Sequence, residues 1–423
     1  MELPLMGLQS EASMPTLLGH HGRSPARDLK QPPSHSCAGQ QQQQVAFLPA
    51  SLEEVSADFV EHALRASGAL RRPGGSWAVQ AVDVQPTTVQ GLLSTTGRVG
   101  VTYSGGDGGI PPPSSVIVKL QAQDANMRGI ATRTGNYEME KMIYERLADG
   151  MVVGTPVCYM IVSHATSDNV VFVMEDLILR NGVYAIDQWR PSGCTDSEAL
   201  FVAHALGRMH AQFWSWSDPL ADWLPVTAGI ELRNPAGLVH ECAGRYRESV
   251  YYSALSASVQ SAVDALLPRA EALVTALSSG PCTLLHHDAR ADNLFWGDVT
   301  GFAPGGVLFI DWQMAGQGVG PLDLAWFASG SYLEPGSADR MVKNRHLVEV
   351  YWHALTEDGV DPTRYTLEAA WRDYLLGIAC SFLVITQFVK FGQPNQVLRD
   401  WAARSAHAMA ELEAHTMPFE RLV

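Results

Sequence analysis

Leu284-Leu285-His286-His287-Asp288-Ala289-Arg290-Ala291-Asp292-Asn293-Leu294-Phe295, followed by Val307-Leu308-Phe309-Ile310-Asp311-Trp312, decides the reading of this chain. Each polar run hangs on a short apolar stretch, Thr283–Leu285 and Val307–Ile310, and both stretches read as buried strands. Loops at the ends of buried strands are where chemistry concentrates. Asp288, Asp292, Asp311 and Asn293 bring three carboxylates and an amide into a small space. Their oxygens are hard donors of the kind Mg²⁺ takes, with water and phosphate completing its shell. An Asp not used by the metal can orient a hydroxyl and accept its proton.

Working outward, the segment 46–178 mixes strands and helices. Leu52–Leu70 reads as a helix, and Trp77–Val84 and Arg98–Ser104 as short strands. Val116-Ile117-Val118-Lys119-Leu120 is a dense β-branched strand. Tyr137–Ala148 carries Met139, Met142, Ile143 and Leu147 at helical spacing. Val170–Met174 is a further strand, running into Glu175-Asp176-Leu177. From about 195 the chain turns helical. Thr195 and Glu198 form a capping box at the start of a helix carrying His210. Further helices are expected over Val259–Leu277, 338–357, 366–390 and 395–414.

His286-x-Asp288-x-x-x-x-Asn293 with Asp311 after an apolar strand resembles the catalytic loop and metal-binding Asp of the protein-kinase-like superfamily. The fuller string, through Gly320-Pro321-Leu322-Asp323-Leu324, is similar to the aminoglycoside phosphotransferase and choline-kinase-like branch, and within it to the ecdysteroid-kinase-like (CHK-like) group. Lys119, the Tyr137–Leu147 helix, Met174–Leu177 and Leu206–Trp214 follow in the family's order, so the resemblance spans roughly residues 50–415. It implies an α+β, two-lobed protein-kinase-like fold. A small antiparallel-sheet N-lobe would lead through a hinge near 174–178 to a larger helical C-lobe, residues 179–423, with the catalytic loop and substrate pocket.

The resemblance also implies roles. Asp288 would be the base on a substrate hydroxyl, and Arg290 would neutralise charge on the transferring phosphoryl. Asn293 and Asp311 would hold Mg²⁺. Lys119 would contact the phosphates of ATP and pair with Glu140, chosen over Glu138 and Glu145 for its spacing to Tyr144. Met174, Glu175, Asp176 and Leu177 would meet the adenine through their backbone. Asp323 would brace the loop through backbone amides, and His286 would orient it. Two departures stand out. His287 occupies a place where the family carries Gly, whose backbone angles a histidine tolerates poorly. Leu92–Tyr103, where the phosphate-covering loop belongs, has Gly97 and Gly100 but no G-x-G-x-x-G.

The function that emerges is ATP- and Mg²⁺-dependent phosphorylation of a hydroxyl on a small molecule. Only eleven positions separate Asp311 from Leu322, and no A-P-E follows, which leaves little room to seat a peptide. The rivals are a catalytically weak pseudokinase or nucleotide-binding scaffold, and a metal-dependent hydrolase built on His286, His287, Asp288 and Asp292. Trp214, Trp216, Trp312 and Trp326 read as core rather than as a cation–π wall for a quaternary amine.

Composition bounds the rest. Across 423 residues, 29 Lys and Arg against 44 Asp and Glu leave a net charge of −15, which excludes sequence-independent nucleic-acid binding. Tyr374–Val389, the longest uncharged run, is short for a bilayer span and reads as a buried core helix. No protein partner is indicated. Six widely spaced cysteines without C-x-x-C suit a reduced, cytoplasmic compartment. Residues 1–45, with Pro32-Pro33 and the Gln40–Gln44 tract, read as a disordered low-complexity tail.

Overall fold

The computed structural model describes residues 48–415, apart from 72–75, 88–91, 107–109, 164–168, 181, 187–192, 217–219, 279, 298–305, 333–338 and 391–395. The expected tail lies outside the described residues.

Helix α1 (Ala57–Ala66) begins at Ser56, whose hydroxyl accepts from the Phe59 amide. The first expected helix is thus divided: Leu52–Glu54 is a separate 3₁₀ turn, and Val55 at its end is extended. Strands β1 (Trp77–Pro86), β2 (Ser94–Gly105) and β3 (Ser115–Gln121) follow. After α2 (Ala125–Arg133) and α3 (Asn136–Arg146), β4 (Cys158–Ser163) and β5 (Val170–Glu175) complete an antiparallel sheet of order β1-β2-β3-β5-β4. Successive side chains of a strand face opposite ways. Val116, Val118 and Leu120 of β3, with Val171 and Val173 of β5, therefore pack with Phe59, Val60 and Leu64 of α1. Phe172 and Met174 face the other side, where Tyr144 of α3 meets Phe172. Lys119 shares that second face by register, paired with Phe172 across the ladder.

The helical lobe is the larger. β6 (Val183–Ala185) precedes α4 (Asp196–Gln212), whose capping box is present in both directions. Next come α5 (Pro235–Arg247), α6 (Val250–Ser253), α7 (Ala257–Leu266) and α8 (Ala270–Ser278). The expected single helix Val259–Leu277 is two, parted by a 3₁₀ turn at Leu267–Arg269. Pro268 has no amide hydrogen for the ladder, which accounts for the break. β7 (Thr283–Leu285) runs into the polar loop 286–293, and β8 (Leu294–Gly297) pairs with β6 on one side and β9 (Val307–Phe309) on the other in a second small sheet. β10 (Gly316–Gly318) pairs with β7. α9 (Pro321–Ser331), α10 (Arg340–Glu357), α11 (Leu367–Ile385) and α12 (Gln396–His415) finish the chain.

This is the expected two-lobed α+β architecture, an antiparallel-sheet lobe followed by a larger helical one. Among the described residues one helical segment, Leu367–Lys390, is long and apolar enough to cross a membrane, and 89% of its most apolar window is buried inside the molecule. Its neighbours are α9 and α12, so its hydropathy is that of a core helix.

Candidate active site

α3 buries the stripe Tyr137, Glu140, Ile143 and Tyr144. Glu140 therefore points inward with no exposed surface, onto the face of the sheet that carries Lys119. The Lys119 ammonium lies 2.6 Å from Glu140 Oε2 and 2.6 Å from Asp311 Oδ1. Of the three glutamates on α3, Glu138 pairs with Lys141 at the surface instead. Burial alone would lower the pKa of Lys119, but the charges of Asp311 and then Glu140 outweigh it and hold the ammonium above its ordinary value. Desolvation pushes the Glu140 carboxyl up, against the pull of Lys119.

The loop after β7 is hung from α9. Asp323, fully buried, accepts both the His286 and His287 amides at 2.7 Å. Burial would raise its pKa, yet the hydrogen bond and charge of His210, followed by His287 and His286, bring it below the ordinary carboxylate value. His286 works as a splint. Its Nδ1 accepts the Asp288 amide at 3.2 Å, so Nε2 carries the hydrogen donated to the Ile310 carbonyl at 2.9 Å. His287 has φ +60°, the left-handed conformation that Gly would adopt cheaply. Its Nε2 sits 2.9 Å from Thr227 Oγ1. With three of these four ring nitrogens engaged within the fold, the two histidines do not converge on a metal. Among the described residues no group of three or more His, Cys, Asp or Glu side chains could hold one.

Asp288 is surrounded by donors. Oδ1 accepts from Arg233 Nη2 and from Trp326 Nε1, each at 3.1 Å. Oδ2 accepts from Asn293 Nδ2 at 3.0 Å and lies 3.5 Å from Arg290 Nε. Burial would raise this carboxyl, but Arg290 and Arg233 outweigh it and keep it below its ordinary range. Arg290 also donates to Asp292 at 2.8 Å. Asn293 spends its amide hydrogens on Asp288, including the main-chain oxygen at 2.9 Å, and its carbonyl oxygen is the donor suited to a cation. The Ile310 amide bonds the Asn293 carbonyl at 3.0 Å, which ties Asp311 to the loop. One carboxylate and one amide oxygen fit Mg²⁺, an ion that keeps open positions for water and phosphate.

The structure thus brings Lys119, Glu140 and Asp311 into one cluster and Asp288, Arg290 and Asn293 into the neighbouring one. The Met174–Leu177 segment stands apart from both in its contacts. Glu175 takes Arg180 (2.9 Å) and the Val157 amide (3.0 Å). Asp176, buried, accepts from Ser115 Oγ at 2.5 Å and from Arg98 at 2.7 Å, and caps the turn Leu177–Leu179. These acidic side chains are consumed within the fold, so what the segment can offer a ligand is main chain.

Two contacts of Asp288 were not read from the sequence. Arg233 carried no motif signal. Trp326 was read only as core, and it is buried. The other tryptophans are also engaged: Trp312 is fully buried, Arg364 lies 3.8 Å over Trp216, and Trp214 packs on Tyr365.

Residues 178–363 match the model of the phosphotransferase enzyme family (APH). This stretch contains Asp288, Asn293 and Asp311, while Lys119 and Glu140 lie before it. No curated protein matches the chain. Solved structures that resemble it include a GDP complex of aminoglycoside 2'-phosphotransferase-IIIa (14% identity, 80% of this chain and 93% of that one, TM-score 0.47). Others are a Plasmodium vivax ethanolamine kinase (13%, 80% and 84%, 0.48) and a choline kinase from Streptococcus pneumoniae (14%, 78% and 93%, 0.45).

Proposed function

We propose that the protein is an ATP- and Mg²⁺-dependent phosphotransferase acting on a hydroxyl group of a small molecule. The observation that carries this reading is the Lys119 ammonium, 2.6 Å from both Glu140 and Asp311, beside a loop on which Asn293 and Asp288 touch. An ammonium held by a helix glutamate is pre-positioned for phosphate oxygens. In this reading Glu140 fixes Lys119, and Asn293 and Asp311 are the metal-holding residues. Bound Mg²⁺ would neutralise phosphate charge. Met174–Leu177 would be the hinge and would meet adenine through its main chain.

Asp288 receives the acceptor's hydroxyl hydrogen. The acceptor oxygen bonds to the γ-phosphorus, the bond from that phosphorus to the β–γ bridging oxygen breaks, and ADP leaves. The donors around Asp288 keep it ionised, so it orients the hydroxyl more than it pulls on the proton, which suits a transition state needing little base strength. Arg290 supplies a fixed cation beside the transferring group. The short path from Asp311 to α9, filled by a 3₁₀ turn and β10, favours a small acceptor over a peptide.

The test is titration of Mg·ATP into wild type and Asp311→Ala, followed by background ATP hydrolysis with Asp288→Ala as control. Metal-dependent binding that Asp311→Ala loses, with hydrolysis that Asp288→Ala loses, is the expected result. No nucleotide binding by wild type would overturn the reading. Binding without turnover, even across a panel of hydroxyl acceptors, would favour a nucleotide-binding scaffold.

A further inference from the structure

Arg233 sits in a 3₁₀ turn, Glu231–Arg233, fifty-five positions before Asp288 in sequence. It is buried, and its guanidinium is used on two residues of the loop at once. Nη2 donates to Asp288 Oδ1 at 3.1 Å, and Nε donates to the His287 carbonyl at 2.8 Å. We infer that Arg233 is a positioning residue, which sets the rotation of the Asp288 carboxylate and the path of the loop that carries it. The inference rests on the reading of Asp288 as the group that receives the acceptor hydroxyl.

The geometry argues for this in three ways. First, the donors are divided by oxygen. Arg233 and Trp326 both hold Oδ1, and the guanidinium lies 4.5 Å over the Trp326 ring, so the two donors are stacked as one unit. A carboxylate clamped through one oxygen cannot turn about its terminal torsion without breaking both bonds, which leaves Oδ2 facing Asn293. Second, the fork is itself anchored. The Arg233 amide bonds the Ile230 carbonyl at 2.8 Å, and the preceding Leu232 carbonyl accepts from Gln387 at 3.1 Å. Third, the loop needs the help. His287 is held at a positive φ, and the bond from Arg233 to its carbonyl is one of the contacts that keep it there. A lysine could supply the charge but not two directed donors to two different acceptors.

The experiment compares wild type, Arg233→Ala, Arg233→Lys and Arg340→Met, the last removing a buried arginine on α10 that pairs with Glu411. Mg·ATP hydrolysis, nucleotide KM and hydrogen exchange over the loop 284–295 are read for each. Arg233→Ala is expected to lose about a hundredfold in kcat with nucleotide KM nearly unchanged, since misplacing a reacting group by about 1 Å costs that much. Added guanidinium ion, below denaturing concentrations, should restore part of the loss in Arg233→Ala and none elsewhere. Arg233→Lys should remain well below wild type.

Exchange should quicken at the loop in Arg233→Ala but not on β3 or α4, and Arg340→Met should leave kcat and loop exchange as in wild type. Wild-type kcat in Arg233→Ala overturns the inference, and so does full activity in Arg233→Lys. If wild type shows no turnover even across a panel of hydroxyl acceptors, the proposed function fails, and loop exchange alone decides the role of Arg233: unchanged exchange in Arg233→Ala overturns it, and loop-specific quickening upholds it.

Discussion

His287 shows how a single residue is made to fit. A histidine in the left-handed region costs on the order of 1 kcal/mol. Three bonds offset that: its amide to Asp323, its carbonyl from Arg233 and its ring to Thr227. Burial, with Arg233 and His286 adding to it against the opposing charge of Asp323, lowers the imidazole pKa from 6.5 to about 4. In the unfolded chain the ring protonates near pH 6.5, whereas in the fold it stays neutral until about pH 4. Its contribution is therefore complete above pH 6.5 and is lost as pH falls toward 4, on the order of 3 kcal/mol over that window.

His287→Gly accepts the backbone angle at less cost and removes the titration. Urea midpoints measured from pH 7 to pH 4 should fall less steeply for the variant, and parallel curves would refute the linkage. The same neighbourhood separates what sequence can show from what it cannot. Asp288, Asn293 and Asp311 lie within a few positions of two strands, so chain geometry alone keeps them near one another. Arg233 reaches the same carboxylate only because its turn, just ahead of α5 and held by Gln387, folds against the loop, and a tertiary contact of that kind leaves no local spacing to read.

Among elements, those with one clean period were legible. β3 is a dense run of β-branched residues leading into Lys119, and α3 repeats its buried stripe at helical spacing. β4 was not read, because it is an edge strand with a register shift between Cys158 and Met160 that breaks the alternation. α5 was hidden by Pro235, Gly237 and Gly244, which resemble loop punctuation but stand in a helix with Pro at its first turn.

Two of the helical glycines should respond oppositely to alanine. A Cβ on Gly207 of α4 would meet the Tyr351 carbonyl oxygen of α10 at 2.4 Å and the Ala354 Cβ at 2.8 Å. The clash is with backbone, so the helices must part. The overpacking cost, up to about 3 kcal/mol, exceeds the roughly 1 kcal/mol of helix propensity gained. Gly244, on the exposed face of α5, has nothing within 4 Å, so alanine there should add about 1 kcal/mol. Thermal melts of Gly207→Ala and Gly244→Ala should move down and up respectively, and a rise for Gly207→Ala would contradict the close approach of α4 and α10.

For the whole molecule, charge is the property the sequence reports directly, and its arrangement is what only the fold reveals. The chain carries −15 overall. Its cations at the site are already matched: Lys119 by Glu140 and Asp311, Arg233 by Asp288, and Arg290 by Asp292. The site thus offers an incoming anion geometry but little surplus positive field, and the acidic surface repels that anion at long range. In the proposed function the incoming anion is Mg·ATP, so its association should be hindered at low salt and eased as screening grows. The screening length falls from about 30 Å at 0.01 M to about 8 Å at 0.15 M ionic strength. Stopped-flow binding of a fluorescent ATP analogue with Mg²⁺ should give an on-rate that rises a few-fold over that range, with the off-rate nearly constant because the matched pairs inside are buried and poorly screened. An on-rate that falls with salt would mean that an unmatched basic surface guides the nucleotide, and the charge pairing described at Lys119, Arg233 and Arg290 would not be what the ligand meets.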